Sequence, residues 1–461
     1  MSGNRAIRVA ATGARVLTGV VVAAACVAGV VAAVAAPWPG ITHAPAQAEV
    51  APMPGDTVLV CTGDFRALGR DTSRPLEMES AGSPQLTSGA SGEEPEVGSL
   101  RVDGLDGAGQ VRRLTGTVEG RTAPLIGATE SITLAVDDLS GFASAPCREA
   151  STESWLVGGS VQTGATDLIV LSNPGAVTAT VTLTVYGAER RSSTAIVPAE
   201  AQIALPLTSI ASGAEAPVIK VTATGSPVRA VLQSSLTRLL DPVGIDLQDA
   251  VGAPQRHPVI PGVRYHEEEG DSPSAAIVRL LSPETDTGAL IRVREPGGTT
   301  DLTTFRVDLV AGEPLEVALS DLAPGMYTVL VDADEPVLAA VREESGAGPG
   351  SDFAWATPAP EFDGEALVAV PAGPDAGLYL TNDEDADVTV SLEPLSGSGG
   401  AQDLTVPAGT SVEVDVANRT VYSVTATGRV HAAVAMSGDG ALSVWPVWPP
   451  SGAGTSIVVY P

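Results

Sequence analysis

Four histidines, at positions 43, 257, 266 and 431, are all the imidazole this chain has for proton transfer or metal ligation. An imidazole works as a general acid or base beside a partner that orients it, and none of the four sits in a G-x-S-x-G, H-E-x-x-H or phosphate-loop context. His431 lies in a repeated β pattern where its counterpart is Arg229, which reads as a residue on a strand face. His266 precedes Glu267, Glu268, Glu269 and Asp271, donors that zinc accepts, in the setting of a charged Gly-rich loop. Asn382 to Asp387 packs oxygen donors as densely as a calcium loop. It also takes the place in the repeat held elsewhere by Asn173-Pro174-Gly175, so a solvated turn competes with the calcium reading. The 55 acidic residues allow many carboxylate pairs of the kind that hydrolyse glycosides, and nothing singles one out. No catalytic, cofactor or metal residue is therefore assigned.

Binding chemistry is better represented. Trp155, Trp355, Trp445 and Trp448 raise the question of sugar stacking, since an indole offers an apolar face and an N–H. Trp355, Trp445 and Trp448 fall in Pro- and Gly-rich joints, so plugging contacts between domains is the other reading. Cys61 and Cys147 have no C-x-x-C spacing and no nearby His, and in an exported chain they read as a disulfide. Such a bridge closes a long loop, contributes about 4 kcal/mol in the chain-entropy picture, and defines a first module over residues 50–150.

These residues are carried by a chain with two distinct parts. Arg5, Arg8 and Arg15 precede an uncharged run over residues 16–36, long enough to cross a bilayer. The basic flank predicts a cytoplasmic tail, residues 1–15, with the body beyond the linker 37–49 on the far side of the membrane. Ala46-Gln47-Ala48 keeps a cleaved signal, and hence secretion, as the alternative. Cys26 reads as a membrane-buried thiol. The net charge of −30 repels phosphate backbones and argues against nucleic acid as a partner.

The body repeats itself. VTATGSPVRAV, from Val221 to Val231, returns as VTATGRVHAAV, from Val424 to Val434, and TVLVDADEPVLAAV, from Thr328 to Val341, is a looser third copy. Around each copy lie short runs with period-2 alternation and frequent turn signals, which predict seven strands per repeat and a closing hairpin made by the duplicated phrase. Leu281-Ser282 fall on Leu171-Ser172 in this frame. The expectation is an all-β body of tandem immunoglobulin-like β-sandwich repeats over 151–255, 256–352 and 353–461, behind one N-terminal transmembrane helix. Residues 79–98, rich in Ser, Gly and Glu, read as unstructured.

The ordered features, a basic-flanked anchor, VLVCTGDF, the block from Trp155 to Gly187 and the end TSIVVYP, resemble an uncharacterised family of actinobacterial envelope proteins carrying a domain of unknown function. The resemblance implies an envelope setting, often with a cell-wall glycosyltransferase encoded alongside, and has no catalytic residues to carry over. The functional expectation is a non-catalytic scaffold or binding module for an envelope protein or glycan. The alternative is an enzyme acting on envelope polysaccharide through an acidic cleft between domains.

Overall fold

The computed structural model describes residues 3–35, 48–50, 54–70, 73–74, 77–106, 109–120, 123–266, 276–397, 400–450 and 457–459. His43, Glu267, Glu268, Glu269, Asp271 and the first two residues of the small-x-small site lie outside them. One compact unit comprises Met1–Ala51 with Ser456–Pro461 and the other Pro52–Thr455.

In the first unit, Gly3–Ala35 is one α-helix. Its segment Thr12–Ala35 has a mean hydropathy of 2.5 and is long and apolar enough to cross a membrane, as a signal sequence near an N-terminus also is. Thr18 donates its hydroxyl to the Ala14 carbonyl at 2.8 Å, which satisfies a polar group inside the apolar stretch. Cys26 is a free thiol on this helix. Ala48–Val50 pairs antiparallel with Ile457–Val459.

The second unit is built of β-strands, as its Val, Thr and Ala alternation dictates. Ala179, Val181, Leu183 and Val185 point one way from Ala179–Tyr186. They meet Ile169 and Leu171 of Ala165–Asn173 in one core. Two sheets enclose it. The four-stranded sheet runs Glu153–Leu156, Val218–Thr224, Ala179–Tyr186, Arg191–Val197. The facing sheet begins Asp241–Asp249, Arg229–Arg238, Ala165–Asn173, Ala201–Pro206 and continues through Glu96–Val102, Val111–Gly116 and Thr57–Val60. One sheet therefore crosses residue 150, joined where Ala201 and Gln202 pair in parallel with Arg101 and Val102.

Two more cores follow, the first again between two sheets and the last within one seven-stranded sheet. Val259–Tyr265, Gly325–Ala333, Thr287–Arg294 and Thr303–Leu309 form one sheet, and Leu315–Leu319, Ala276–Leu281, Leu338–Glu344 and Phe353–Ala356 form the sheet facing it. The last core is organised by the 19-residue strand Thr420–Gly438. Its first half pairs with Glu361–Val370 and Val388–Ser396, its second with Asp375–Thr381 and Ala441–Pro446.

This corrects the reading of the duplicated phrase. Val218–Thr224 and Arg229–Arg238 do not pair with each other; the first belongs to one sheet and the second to the sheet facing it. The phrase is a crossing between sheets. Gly225, at φ +90°, and Pro227 turn the chain there, and an added Cβ at Gly225 would lie 2.6 Å from the Thr178 carbonyl oxygen. In the last copy the same passage is made by a continuous strand.

The register is also adjusted. Ser172 pairs with Arg229 and Leu281 with Leu338, so Leu281 takes the place of Ser172 rather than Leu171. Nor are residues 79–98 unstructured: Met78–Gly82 and Gln85–Ala90 are strands, the latter laddered on Ile126–Val136. Backbone hydrogen bonds order this segment despite its composition, and its small side chains permit close approach, since a Cβ on Gly89 would sit 3.2 Å from Val421.

The Pro- and Gly-rich joints are strands as well. Asp241–Asp249, Phe353–Ala356 and Ala441–Pro446 each pair with the final strand of the preceding core. Leu139–Pro146 does the same for the N-terminal segment, pairing with Ile126–Val136.

Candidate functional site

These four closing strands converge. Asp352, 0% exposed, lies at their meeting point. Its Oδ2 accepts the N–H of Phe142 at 2.8 Å and of Leu442 at 3.0 Å, and its Oδ1 accepts those of Ile245 and Phe353, each at 3.0 Å. One N–H comes from each closing strand. The side chains leave the hub in four directions, Phe142, Ile245, Phe353 and Leu442 each entering a different apolar cluster. Gly141 and Gly244, at φ +138° and +135°, precede two of the donors, and a Cβ on either would come within 2.8 Å of Asp352 Oδ1. Burial pushes the Asp352 carboxyl well above its usual range, against the pull of the four N–H groups. Ser144 and Ser443 add a hydroxyl contact of 2.7 Å between two of the same strands.

Beside this hub a second polar network fastens the N-terminal segment. Gln233 accepts the Arg66 N–H at 2.8 Å and donates to the Arg66 carbonyl at 2.7 Å, as a strand would. Gln202 donates to the Thr62 carbonyl at 2.9 Å and accepts from the Arg66 guanidinium. Burial lowers the Arg66 pKa to about 10. Glu130 accepts the N–H groups of Thr62 and Gly63 at 3.0 and 2.9 Å, and burial raises its pKa. Cys61 and Cys147 form a disulfide inside this region.

Next to Cys147 opens a groove of ≈ 380 Å³. The N-terminal segment supplies one side, Leu125 to Thr129 and Pro146 to Ser151, and the last core supplies the other, Leu367 to Ala369 and Trp445 to Pro450. Arg148 stacks on Trp448, its guanidinium carbon 3.2 Å from the ring centroid. Arg148 is held in turn by Asp249 Oδ2 at 2.6 Å and the Ala250 carbonyl at 2.7 Å. Trp448 Nε1 is buried without a hydrogen-bond partner.

The four tryptophans thus separate. Trp155 and Trp355 are buried together between the first two cores, Trp155 against Tyr186 with ring centroids 5.2 Å apart and Trp355 under Arg279 at 4.7 Å. Trp445 is buried in the last core and also lines the groove, and Trp448 is half-buried on the groove wall.

The acidic stretch after Asn382 is a turn with Asp383, Asp385 and Asp387 exposed, and Asn382 itself is its buried anchor. Asn382 is fully buried and donates to the carbonyls of Ala386 and Val406 at 2.8 and 3.0 Å. Asn173 does the same with Val177 and Val197 at 2.8 and 3.1 Å. Both amides brace the turn between consecutive strands, a passage between two sheets at Asn173 and a turn within one seven-stranded sheet at Asn382. Carboxylate oxygens of Glu361, Asp383 and Glu384 lie within 4.8 Å of one another. Their charge is met by Arg429, paired with Glu361 at 3.0 Å and with Glu384, and His431 Nε2 lies 3.5 Å from Asp383. His431 lies on the strand Thr420–Gly438 with its side chain buried, and its Nδ1 donates to the Ala359 carbonyl at 2.8 Å. His431 holds the Asp383 carboxyl below its usual range. Of the proposed zinc set, His266 alone is described, and burial lowers its pKa.

Asp352, Arg148 and Asp249 were missed by sequence reasoning. The tripeptides that meet at Asp352, Ser-Gly-Phe, Val-Gly-Ile, Ser-Asp-Phe and Gly-Ala-Leu, share a small or acidic residue before a large apolar one, a pattern too common to single them out.

Residues 86–417 match the model of DUF5719, a family of unknown function. The chain belongs to this family. Membership accounts for most of the second unit and brings no activity with it. No curated protein matches the chain. Among solved structures, an anti-sigma factor domain-containing protein aligns over 87% of this chain and 99% of its own at 8% identity, with a TM-score of 0.11, a likeness too slight to bear on the fold.

Proposed function

We propose that this DUF5719 member is a non-catalytic, membrane-tethered envelope protein whose body, outside the cytoplasm, binds an envelope protein or glycan. The observation that carries the reading is the groove between the N-terminal segment and the last core, walled by Trp448 and Arg148 and fixed by the adjoining disulfide. Concave sites of this size, mostly apolar with a few placed polar groups, are where proteins hold ligands. A disulfide is kept in oxidising compartments, which supports export of the body, and the three basic residues ahead of the apolar helix favour a cytoplasmic N-terminus.

In this reading the three cores are immunoglobulin-like sandwich repeats over 151–255, 256–352 and 353–461, and residues 50–150 are a β module that the closing strands lock to them. The family's actinobacterial and cell-wall setting belongs to the same proposal. The enzyme alternative gains nothing from the groove, where Glu149 is the one carboxylate among the described lining residues. Cross-linking the full chain in native envelopes tests the proposal. Saturable recovery of one protein or wall polymer supports it; turnover of an envelope polysaccharide by the purified chain sinks it.

A further inference from the structure

The geometry points to the Arg148–Trp448 groove as a subsite for a neutral saccharide, one or two pyranose rings of a larger glycan, an inference that rests on the binding-module reading and names its ligand. Its volume, ≈ 380 Å³, is at the scale of a small ligand. The walls are set before anything binds. Cys147 is disulfide-bonded, and Pro124, Pro146, Pro446 and Pro449 line the cleft with fixed φ, so little ordering entropy is lost on binding. That matters for sugars, whose hydroxyls leave water for protein at small net gain.

The stacking surface is fixed as well. Arg148 covers one face of the Trp448 indole and is itself anchored by Asp249 and Ala250, so the ring is held in place on the groove wall. Trp448 Nε1 is buried with no hydrogen-bond partner in the protein. The axial C–H face of a pyranose supplies the apolar partner an aromatic face takes. Two hydroxyls of the lining already give their protons to the protein, Thr57 to the Pro124 carbonyl and Ser151 to the Glu153 carbonyl, each at 3.0 Å. Their oxygens are left as acceptors, which suits a ligand rich in O–H donors.

Charge selects among polar ligands. Arg148 is the one cation among the described lining residues, and its charge is engaged by Asp249 at 2.6 Å. With a net charge of −30 on the chain, a polyanion meets repulsion and no free countercharge in the groove. A neutral glycan meets neither difficulty.

The test uses the full chain in a detergent without a sugar headgroup, titrated with maltose, cellobiose and diacetylchitobiose and followed by indole fluorescence and saturation-transfer NMR. At least one disaccharide is expected to saturate, and Trp448→Ala to weaken it tenfold or more while Trp355→Phe, remote from the groove, leaves it unchanged. Should Trp448→Ala not fold, Ser151→Trp fills the groove from its exposed rim and should abolish binding. The subsite is overturned by three flat titrations, by undiminished affinity in the folded groove variant, or by decaproline occupying the groove in place of sugar. A chain that recovers an envelope protein but no sugar removes this inference alone; a chain that retains neither removes the binding-module reading too.

Discussion

Asp352 Oδ2 accepts the backbone N–H of Phe142 at 2.8 Å, a bond between residues 210 positions apart. Three further N–H groups aim at the same carboxylate, so one side chain joins the closing strands of every part of the body. Replacing it with Ala orphans four buried donors, each costing about 1–3 kcal/mol. Asp352→Ala is expected to destabilise the body by more than about 4 kcal/mol, and Asp352→Asn by less, since one carbonyl oxygen remains. Urea unfolding followed by tryptophan fluorescence checks both. A loss under about 1 kcal/mol for the Ala variant would contradict the hub's role.

The glycines beside that carboxylate make a separate prediction. Gly244→Ala adds a Cβ 2.8 Å from Asp352 Oδ1 at a φ of +135°, a conformation that L residues rarely adopt. Gly252, with nothing near its Cβ position, is the control. Thermal melting should show a clear drop for Gly244→Ala and none for Gly252→Ala.

Reduction is expected to act through the unfolded chain. Cys61 and Cys147 are 86 residues apart, and a loop of that length loses about 4 kcal/mol of constraint when the bond is cut. Because Cys147 also lines the groove, melting with and without reductant should fall together with ligand affinity.

Stability should decline as pH rises from about 4 to about 8. Burial raises Asp167 to about 7 and Asp246 and Glu343 to about 8. The unfolded chain releases these protons near the ordinary carboxylate range while the folded chain keeps them, so folding is penalised increasingly across that interval and levels off above it. The groups facing them do not reverse the sign: Arg279 acts on Asp167, and Arg264 acts on Glu343, yet burial is the larger influence on each. Half-exposed Asp138, paired with Arg70, shifts the other way, but solvent screening makes it a small contribution. Calorimetric melting at pH 5 and pH 8 should give the higher midpoint at pH 5; a higher midpoint at pH 8 would contradict the buried-acid assignment.

The two buried asparagines that brace turns between strands offer a last test. Asn173→Ala leaves the carbonyls of Val177 and Val197 without their donor and Ser226 without its acceptor at 2.8 Å. A loss of about 2–3 kcal/mol is expected, with a similar change at Asn382→Ala, read from chemical unfolding.

The amino-acid sequence by itself determined whatever depends on neighbours along the chain. The uncharged run before Ala36 specifies a helix able to cross a membrane, and alternation in Ala179–Tyr186 specifies a strand with one buried face. The Cys61–Cys147 pairing followed from there being no other partner beyond the apolar helix. Tertiary structure alone decided which strands pair. Period-2 alternation says which face is buried but not against what, so Val218–Thr224 and Arg229–Arg238 read as a hairpin although they lie in opposite sheets. For the same reason the joints passed for linkers. Asp352 could not be recognised because its partners are backbone N–H groups, which every residue but proline carries and which no side-chain pattern announces. The groove, too, exists only where Arg148 and Trp448 meet across 300 residues of chain that the sequence keeps apart.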